Sequence, residues 1–149
     1  YEIWTMQSAW HNLPTFDGVQ QLPGAEYAAR EVCTDKNSIT GELAGAYPPI
    51  PGLTTYRRSV SVREQGITLR DETDHPGTVE LTLLTEQQPV PAADGFVVGT
   101  LGGIRFDPDA VTAAVAPVSI TDPRLRTAWP ETIYKITLHF QKMLDLELY

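Results

Sequence analysis

The residue types that could carry chemistry are concentrated between residues 8 and 21. His11 is followed directly by Asn12, and an Asp17-Gly18 pair comes six residues after the histidine. Imidazole is a good zinc ligand, and its second nitrogen usually donates a hydrogen bond to an acceptor. The residues alone favour a core or hydrogen-bonded histidine here and leave open a metal ligand or a catalyst.

The other two histidines are not spaced as a local metal motif, since none of the three forms an H-x-H or an HExxH pair. His139 lies on the polar face of an alternating strand, which predicts a solvent-facing or inter-sheet side chain. His75 follows Asp71, Glu72 and Asp74 in the sequence RDETDHPG. Such acids could bind Ca²⁺, but they lack an EF-hand ligand series. We therefore predict an exposed, solvated turn around His75.

Cys33 is the only cysteine, so the chain cannot form an internal disulfide or a cysteine-based zinc cluster. We predict that it packs as a small residue near a strand end and is not a nucleophile. Nucleophile-elbow, P-loop and G-x-G-x-x-G motifs are absent from the sequence. The 19 acidic residues offer many carboxylate pairs, but the sequence does not give the separation on which glycoside hydrolysis depends.

The net charge of the chain is −8 and its pI is near 4.7. An acidic surface repels nucleic acid and anionic membranes, so we predict no nucleic-acid partner and no membrane partner. The sequence shows no apolar run near the ~18 residues of a membrane span and no signal peptide. Because the first residue is Tyr1, we expect the chain to be a C-terminal fragment of a larger protein, whose localisation stays undetermined.

The elements that must position His11 are predicted to be strands. Val79, Leu81 and Leu83 alternate with polar residues, as do the residues of ETIYKITLHF, whereas 12 prolines and 11 glycines deny long helices. A short stretch, AEYAARE, fits a helix or a strand equally well. The pattern predicts one all-β domain over residues 1–149, an antiparallel β-sandwich of roughly ten or more short strands.

The stretch from residue 1 to residue 32 resembles the heparinase II/III-like family of polysaccharide lyases. The resemblance is carried by an S-x-x-H-N-x-x-x-x-(D/N)-G-x-x-Q signature, which is matched by Ser8, His11, Asn12, Asp17, Gly18 and Gln21. The resemblance extends over nearly the whole chain. In the first thirty residues it rests on specific residues, and after them it rests mainly on the similar order of predicted strands.

The resemblance implies a function for the larger protein. Members of the family pair an upstream α/α-toroid with β-sandwich domains and cleave uronic-acid-containing polysaccharides by β-elimination. Several hold a structural zinc in the sandwich, and the histidine of the signature, His11 here, is one zinc ligand. The other ligands, an H-x-H segment and an Asp, lie upstream of the signature, and the catalytic Tyr and His or Asn lie in the toroid. The resemblance also implies a bacterial parent.

For this chain alone, the resemblance implies no catalysis and no tight zinc binding, because one histidine cannot hold zinc in a four-coordinate site. We also expect either self-association through an exposed edge or poor order between Tyr1 and Met6. The alternative is a stand-alone carbohydrate-binding or structural interaction module. In that alternative Trp4, Trp10 and Trp129 would serve as sugar-stacking platforms, although core or interdomain packing is commoner.

Overall fold

The computed structural model describes residues 3–100 and 102–149. These residues form twelve strands: β1 Pro14–Phe16, β2 Arg30–Thr34, β3 Ser38–Glu42, β4 Tyr56–Arg63, β5 Gly66–Thr73, β6 Val79–Thr85, β7 Pro89–Ala92, β8 Gly95–Val98, β9 Gly102–Arg105, β10 Thr112–Ser119, β11 Thr132–Phe140 and β12 Met143–Leu148. The helical residues lie in 3₁₀ turns at Trp4–Met6, Ser8–Trp10, Ala44–Ala46 and Leu125–Thr127. None of the described helices has the length and apolar character that crossing a membrane requires.

The strands form two antiparallel sheets. The smaller sheet has the order β1-β6-β11-β10, and the larger has the order β2-β3-β4-β5-β12-β9-β8-β7. The predicted all-β antiparallel sandwich is therefore confirmed. In the ambiguous AEYAARE stretch, residues 25–27 form a turn and a bend, residues 28–29 are irregular, and strand β2 begins at Arg30.

Alternation of apolar and polar residues builds the smaller sheet, as the sequence predicts. In β6 the side chains of Val79, Leu81 and Leu83 are buried, and in β11 those of Ile136 and Leu138 are completely buried. These strands pair with each other in antiparallel register, so their apolar faces form one continuous surface. That surface packs against the inner face of the larger sheet, and the core lies between them.

The larger sheet is wider than the smaller one, and part of its inner face is uncovered. Tyr56, at the start of β4, is fully buried, whereas Val62, which lies on the same face, is 58% exposed. Ile67 pairs with Val62, Ile39 lies on the neighbouring strand, and both are also exposed. The core therefore covers the end of β4 that carries Tyr56, whereas the end that carries Val62 is uncovered.

Cys33 lies in β2, an edge strand whose five residues are all exposed. The prediction that Cys33 is a small packing residue is wrong, because its side chain is exposed. The reason is that β2 is an edge strand of the larger sheet and is exposed along its whole length. The sequence interval around Cys33 gives no sign of this, because its composition fits a covered strand equally well.

Candidate metal-ligand site at His11

His11 is exposed and follows directly after the 3₁₀ turn Ser8–Trp10. Its Nε2 atom lies 2.7 Å from the backbone oxygen of Thr5, which belongs to the preceding 3₁₀ turn. A carbonyl oxygen can only accept a hydrogen bond, so Nε2 donates the proton. In the neutral imidazole, Nδ1 is then the unprotonated nitrogen, which is the form that binds a metal.

Asn12 connects the histidine to the buried part of the molecule. Its backbone has a φ of 53°, in the left-handed region that Asn tolerates better than most residues. Its carbonyl oxygen accepts a hydrogen bond of 2.6 Å from Nη1 of Arg58. The backbone at the signature is therefore tied to the inner face of β4.

Arg58 is fixed in turn by Asp71 on the neighbouring strand β5. Nε and Nη2 of Arg58 donate to the two carboxylate oxygens at 2.7 and 2.6 Å. The Asp71 side chain is fully buried and that of Arg58 is 13% exposed. Burial acts to lower the pKa of Arg58, but the hydrogen bonds to Asp71 outweigh it and hold the pKa above its ordinary value. Arg58 therefore stays charged, and both ions of this buried pair are compensated.

Two tyrosines complete the buried polar cluster. Tyr47 donates from its hydroxyl to the carbonyl oxygen of Pro14 at 2.7 Å. The hydroxyl of Tyr56 is buried and makes no hydrogen bond with the described residues that meets normal geometry. Burial raises the pKa of both phenols, so neither is a base near neutral pH.

Further hydrogen bonds attach the turn before His11 to the irregular segment that follows the Asp17-Gly18 turn. The Ser8 hydroxyl accepts from the backbone N–H of Gln21 at 3.0 Å. The side-chain oxygen of Gln20 accepts from the backbone N–H of Ala9 at 3.2 Å. Ser8, the first residue of the signature, is thus a structural residue that holds the turn preceding His11.

The Asp17-Gly18 pair forms a tight turn. The two residues have φ values of 49° and 78°, and Phe16 and Val19 exchange both backbone hydrogen bonds across them. Positive φ at both central positions is typical of a two-residue hairpin, for which Asp-Gly is a preferred sequence. The signature glycine is therefore explained by backbone conformation and requires no ligand.

Asp17 also makes a contact that the sequence does not predict. Its carboxylate lies 3.0 Å from Nε2 of His75 and accepts from the backbone N–H of Thr78 at 2.8 Å. His75 is only 2% exposed, and its ring packs edge-on against Phe16. The prediction of an exposed, solvated turn at His75 is wrong, because this segment lies against the Asp17-Gly18 turn.

The acids near His75 do not form a calcium loop. Asp71 is buried in β5 with Arg58, and Asp74 accepts hydrogen bonds from the backbone N–H groups of Thr54 and Thr55. His139 is partly exposed on the outer face of β11, as predicted, and its Nε2 is 3.9 Å from Glu80. Among residues 3–100 and 102–149, no group of three His, Cys, Asp or Glu side chains could hold a metal ion.

One nitrogen of His11 is therefore anchored at Thr5, and a zinc site would take the other nitrogen as one of its four ligands. The rest of a four-coordinate ligand set is not found among the described residues. The sequence did not reveal Arg58 and Asp71 as part of this site. One sequence feature could have indicated Arg58. It is a charged residue at every-second-residue spacing from Tyr56, Val60 and Val62, so it shares the inward face of β4 with them.

No protein-family model and no curated protein matches this chain. A solved structure does match it: a heparinase III, the BT4657 gene product with methylated lysines. This chain is similar in fold to heparinase III. The match has a TM-score of 0.68 and 16% sequence identity, and it covers 98% of this chain and 24% of the heparinase chain. The likeness shows the fold, and the chain spans about a quarter of the length of that protein.

Proposed function

We propose that this chain is a β-sandwich portion of a heparinase II/III-like polysaccharide lyase of bacterial origin. The observation that carries the proposal is that the likeness to heparinase III extends over 98% of the chain, in a chain that also has the signature around His11. A match confined to a few strands of a common sandwich would not support a shared family. In this proposal the parent protein cleaves uronic-acid-containing polysaccharide by β-elimination.

The chemistry of that reaction is assigned to an upstream toroid domain and not to this chain. Elimination needs a base for the C5 proton and a group that neutralises the uronate carboxylate. Two cations contact the signature segment: Arg58 is already paired with Asp71, and Lys135, which lies over Trp10, is paired with Glu80. The buried phenols of Tyr47 and Tyr56 have raised pKa values, so neither can serve as the base. The sandwich alone is therefore proposed to be inactive.

Zinc is proposed as the metal of the parent protein, with His11 as one of its ligands. A bound zinc would tie the signature segment to the segments that supply the other ligands. The residues of this chain contribute one imidazole and the contacts that hold it. We propose no tight zinc binding to the 149-residue chain by itself, because a single ligand does not make a four-coordinate site.

The test compares the 149-residue chain with the same chain joined to the upstream reading frame of its gene. Both are incubated with a panel of uronic-acid polymers, and the unsaturated product is followed by its ultraviolet absorbance. The proposal expects product from the longer protein only. Activity of the 149-residue chain alone would contradict the assignment of the chemistry, and a start codon or signal peptide just before Tyr1 would contradict the proposed parent.

A second candidate function, carbohydrate binding by the isolated module, is favoured by the three tryptophans. Trp4 and Trp10 have ring centroids 4.5 Å apart, and Trp129 lies 6.1 Å from Trp4. All three are half-buried, and the Lys135 ammonium lies 5.0 Å from the Trp10 ring. Aromatic rings at a partly exposed position can stack on sugars.

Tryptophan fluorescence distinguishes the two candidates, because all three tryptophans of the chain belong to this cluster. The 149-residue chain is titrated with neutral and uronate oligosaccharides. Saturable quenching that is lost in Trp129→Ala and retained in Trp129→Phe would support the binding module. Unchanged fluorescence with every sugar is the result expected if the cluster is only a packing feature.

A further inference from the structure

A polar cleft lies on the outer face of the larger sheet, on the side opposite the core. It has a volume of about 620 Å³ and is formed mainly by side chains of β4, β5 and β12. Side chains alternate along a strand, so Leu69 and Leu146 are buried toward the core while their neighbours Thr68 and Glu147 line the outer side of the sheet. Among the described residues, none of the signature segment and none of the tryptophans lines this cleft.

The strand register places the polar residues of the cleft in two rows that run across the strands. The residues of each row lie directly opposite one another on neighbouring strands: Ser59, Arg70 and Asp145 in the first row, and Ser61, Thr68, Glu147 and Arg105 in the second. Neighbouring strands lie about 4.8 Å apart, so the second row spans about 14 Å. Polar groups spread along such a line suit an elongated ligand better than a compact one.

The charges in the cleft are paired with one exception. Of the three arginines that line it, Arg70 lies 3.4 Å from Asp145, and Arg105 lies 3.7 Å from Glu147. Arg63, the third, is exposed at the end of β4 and forms no ion pair with the described residues. The cleft therefore offers one guanidinium without a carboxylate partner, and a guanidinium binds a carboxylate through two parallel hydrogen bonds.

The hydroxyl groups of the cleft also have hydrogen-bonding capacity to spare. The Ser59 hydroxyl accepts from the hydroxyl of Thr40 at 3.2 Å. Ser61 and Thr68 are half-buried, and their hydroxyls make no hydrogen bond with the described residues. A hydroxyl can donate one hydrogen bond and accept two. A ligand that carries several hydroxyl groups supplies both kinds of partner, and a sugar is such a ligand.

We propose that this cleft binds an acidic oligosaccharide, with a uronate carboxylate on Arg63 and sugar hydroxyls on Ser61 and Thr68. The choice of a uronate over other anionic sugars rests on the proposed function, whereas the match to one anionic group and several hydroxyls does not. The net charge of −8 repels a long polyanion, so the attraction has to be local. Short oligosaccharides are therefore the suitable probes.

Binding is measured on the ¹⁵N-labelled 149-residue chain by ¹H–¹⁵N correlation spectra. The probes are unsulfated tetrasaccharides cut from alginate, polygalacturonate and heparosan. The same tetrasaccharides with their carboxyl groups reduced to alcohols serve as neutral controls. The proposal expects saturable shifts of the Ser61, Arg63 and Thr68 amide signals with at least one uronate probe, and binding of its reduced form that is weaker by about tenfold or more.

Arg63→Gln tests the assigned anion contact. The residue is exposed, so the fold should be retained while binding of the uronate probe weakens by about tenfold or more. Arg57→Gln is the matched control, because Arg57 is on the same face of the same strand but lies outside the cleft, near Glu31. Arg57→Gln should leave the affinity unchanged. Thr68→Val keeps the shape of the side chain and removes its hydroxyl, and it should weaken binding of both the uronate and the reduced probe.

Four results would overturn the proposal: no shift with any probe, shifts confined to the tryptophan cluster, equal affinity for a uronate probe and its reduced form, or equal effects of the Arg63 and Arg57 variants. The elimination assay on the longer protein does not depend on binding by the 149-residue chain. A failure of this proposal can therefore be distinguished from a failure of the proposed function.

Discussion

At the scale of single residues, the main feature is a charged pair within an apolar sandwich. Arg58 and Asp71 are 13 positions apart in sequence, and their strands β4 and β5 place them directly opposite each other. Alternation along β4 puts Arg58 on the same inward face as Tyr56 and Val60, which from sequence alone looks like a break in the pattern. The inward charge of Arg58 is compensated by Asp71 on the next strand, β5. Sequence spacing does not identify Asp71 as that partner.

The Arg58–Asp71 pair is predicted to matter far more for stability than the exposed ion pairs of Arg70. Arg58→Ala leaves Asp71 buried and uncompensated, and it should lower the free energy of unfolding by about 3–5 kcal/mol. Arg70→Ala removes exposed ion pairs and should cost about 0–1 kcal/mol. Urea unfolding of both variants checks the difference. Equal losses in the two variants would show that the buried pair is not specially stabilising.

The two buried tyrosines give an independent prediction. Tyr47→Phe removes the donor to the Pro14 carbonyl and should lower the free energy of unfolding by about 1–3 kcal/mol, because that buried oxygen loses its partner. Tyr56→Phe removes a hydroxyl that makes no hydrogen bond of normal geometry, so its cost should be smaller. Thermal or urea unfolding of this matched pair measures both. The opposite ranking would mean that the Tyr56 hydroxyl is bonded in solution.

At the scale of elements, the strands of the smaller sheet could be predicted and the contacts between loops could not. The alternation in β6 and β11 identifies the strands and the faces they bury, with the exception of Ile133, which is buried although it falls in the polar phase. The burial of His75 does not follow from the local sequence, because it depends on its contact with Asp17, 58 positions earlier in the chain. Such a contact is set by how loops dock, which local periodicity does not encode.

The segment after β5 is predicted to respond to pH through Asp74. Burial acts to raise the pKa of this carboxyl, but hydrogen bonds from Thr54 and Thr55 outweigh it and lower the pKa to about 2. Because the folded pKa lies below the ordinary aspartate pKa of 3.8, the stabilisation is complete above pH 3.8 and is lost as the pH falls toward 2. Asp74→Asn should therefore lower the urea midpoint at pH 6 and have little effect at pH 2. A loss of equal size at both pH values would contradict the assignment.

At the scale of the whole molecule, the edges of the sheets are protected from pairing with another chain, but part of the inner face of the larger sheet is exposed. The free side of β1 is occupied by Val19 and by the Tyr47 hydroxyl. The three edge strands β2, β7 and β10 carry either prolines or a bulge, features that discourage edge pairing. The exposed residues Ile39, Val62 and Ile67 instead form an apolar area on the inner face of the larger sheet.

Self-association of the 149-residue chain is therefore predicted to use this inner face and not a strand edge. Sedimentation velocity should show a dimer that forms with increasing concentration, and Val62→Lys should shift it toward monomer. Val90→Lys is the control, because Val90 is as exposed as Val62 but lies on β7 at the far edge of the sheet. A monomer at all concentrations, or equal effects of the two variants, would contradict this prediction. The sequence analysis gave poor order between Tyr1 and Met6 as the alternative to self-association. Tyr1 and Glu2 of that segment lie outside the described residues.

The central proposal is that this sandwich contributes a metal ligand, His11, to a larger lyase whose catalytic groups lie in another domain. The most direct measurement is the zinc content per chain of the longer protein, comparing the wild-type protein with His11→Ala and with His139→Ala. The account predicts about one bound zinc in the wild-type protein and in His139→Ala, and a clear loss in His11→Ala with the fold retained. Full zinc content in His11→Ala, or no zinc in the wild-type protein, would contradict the claim.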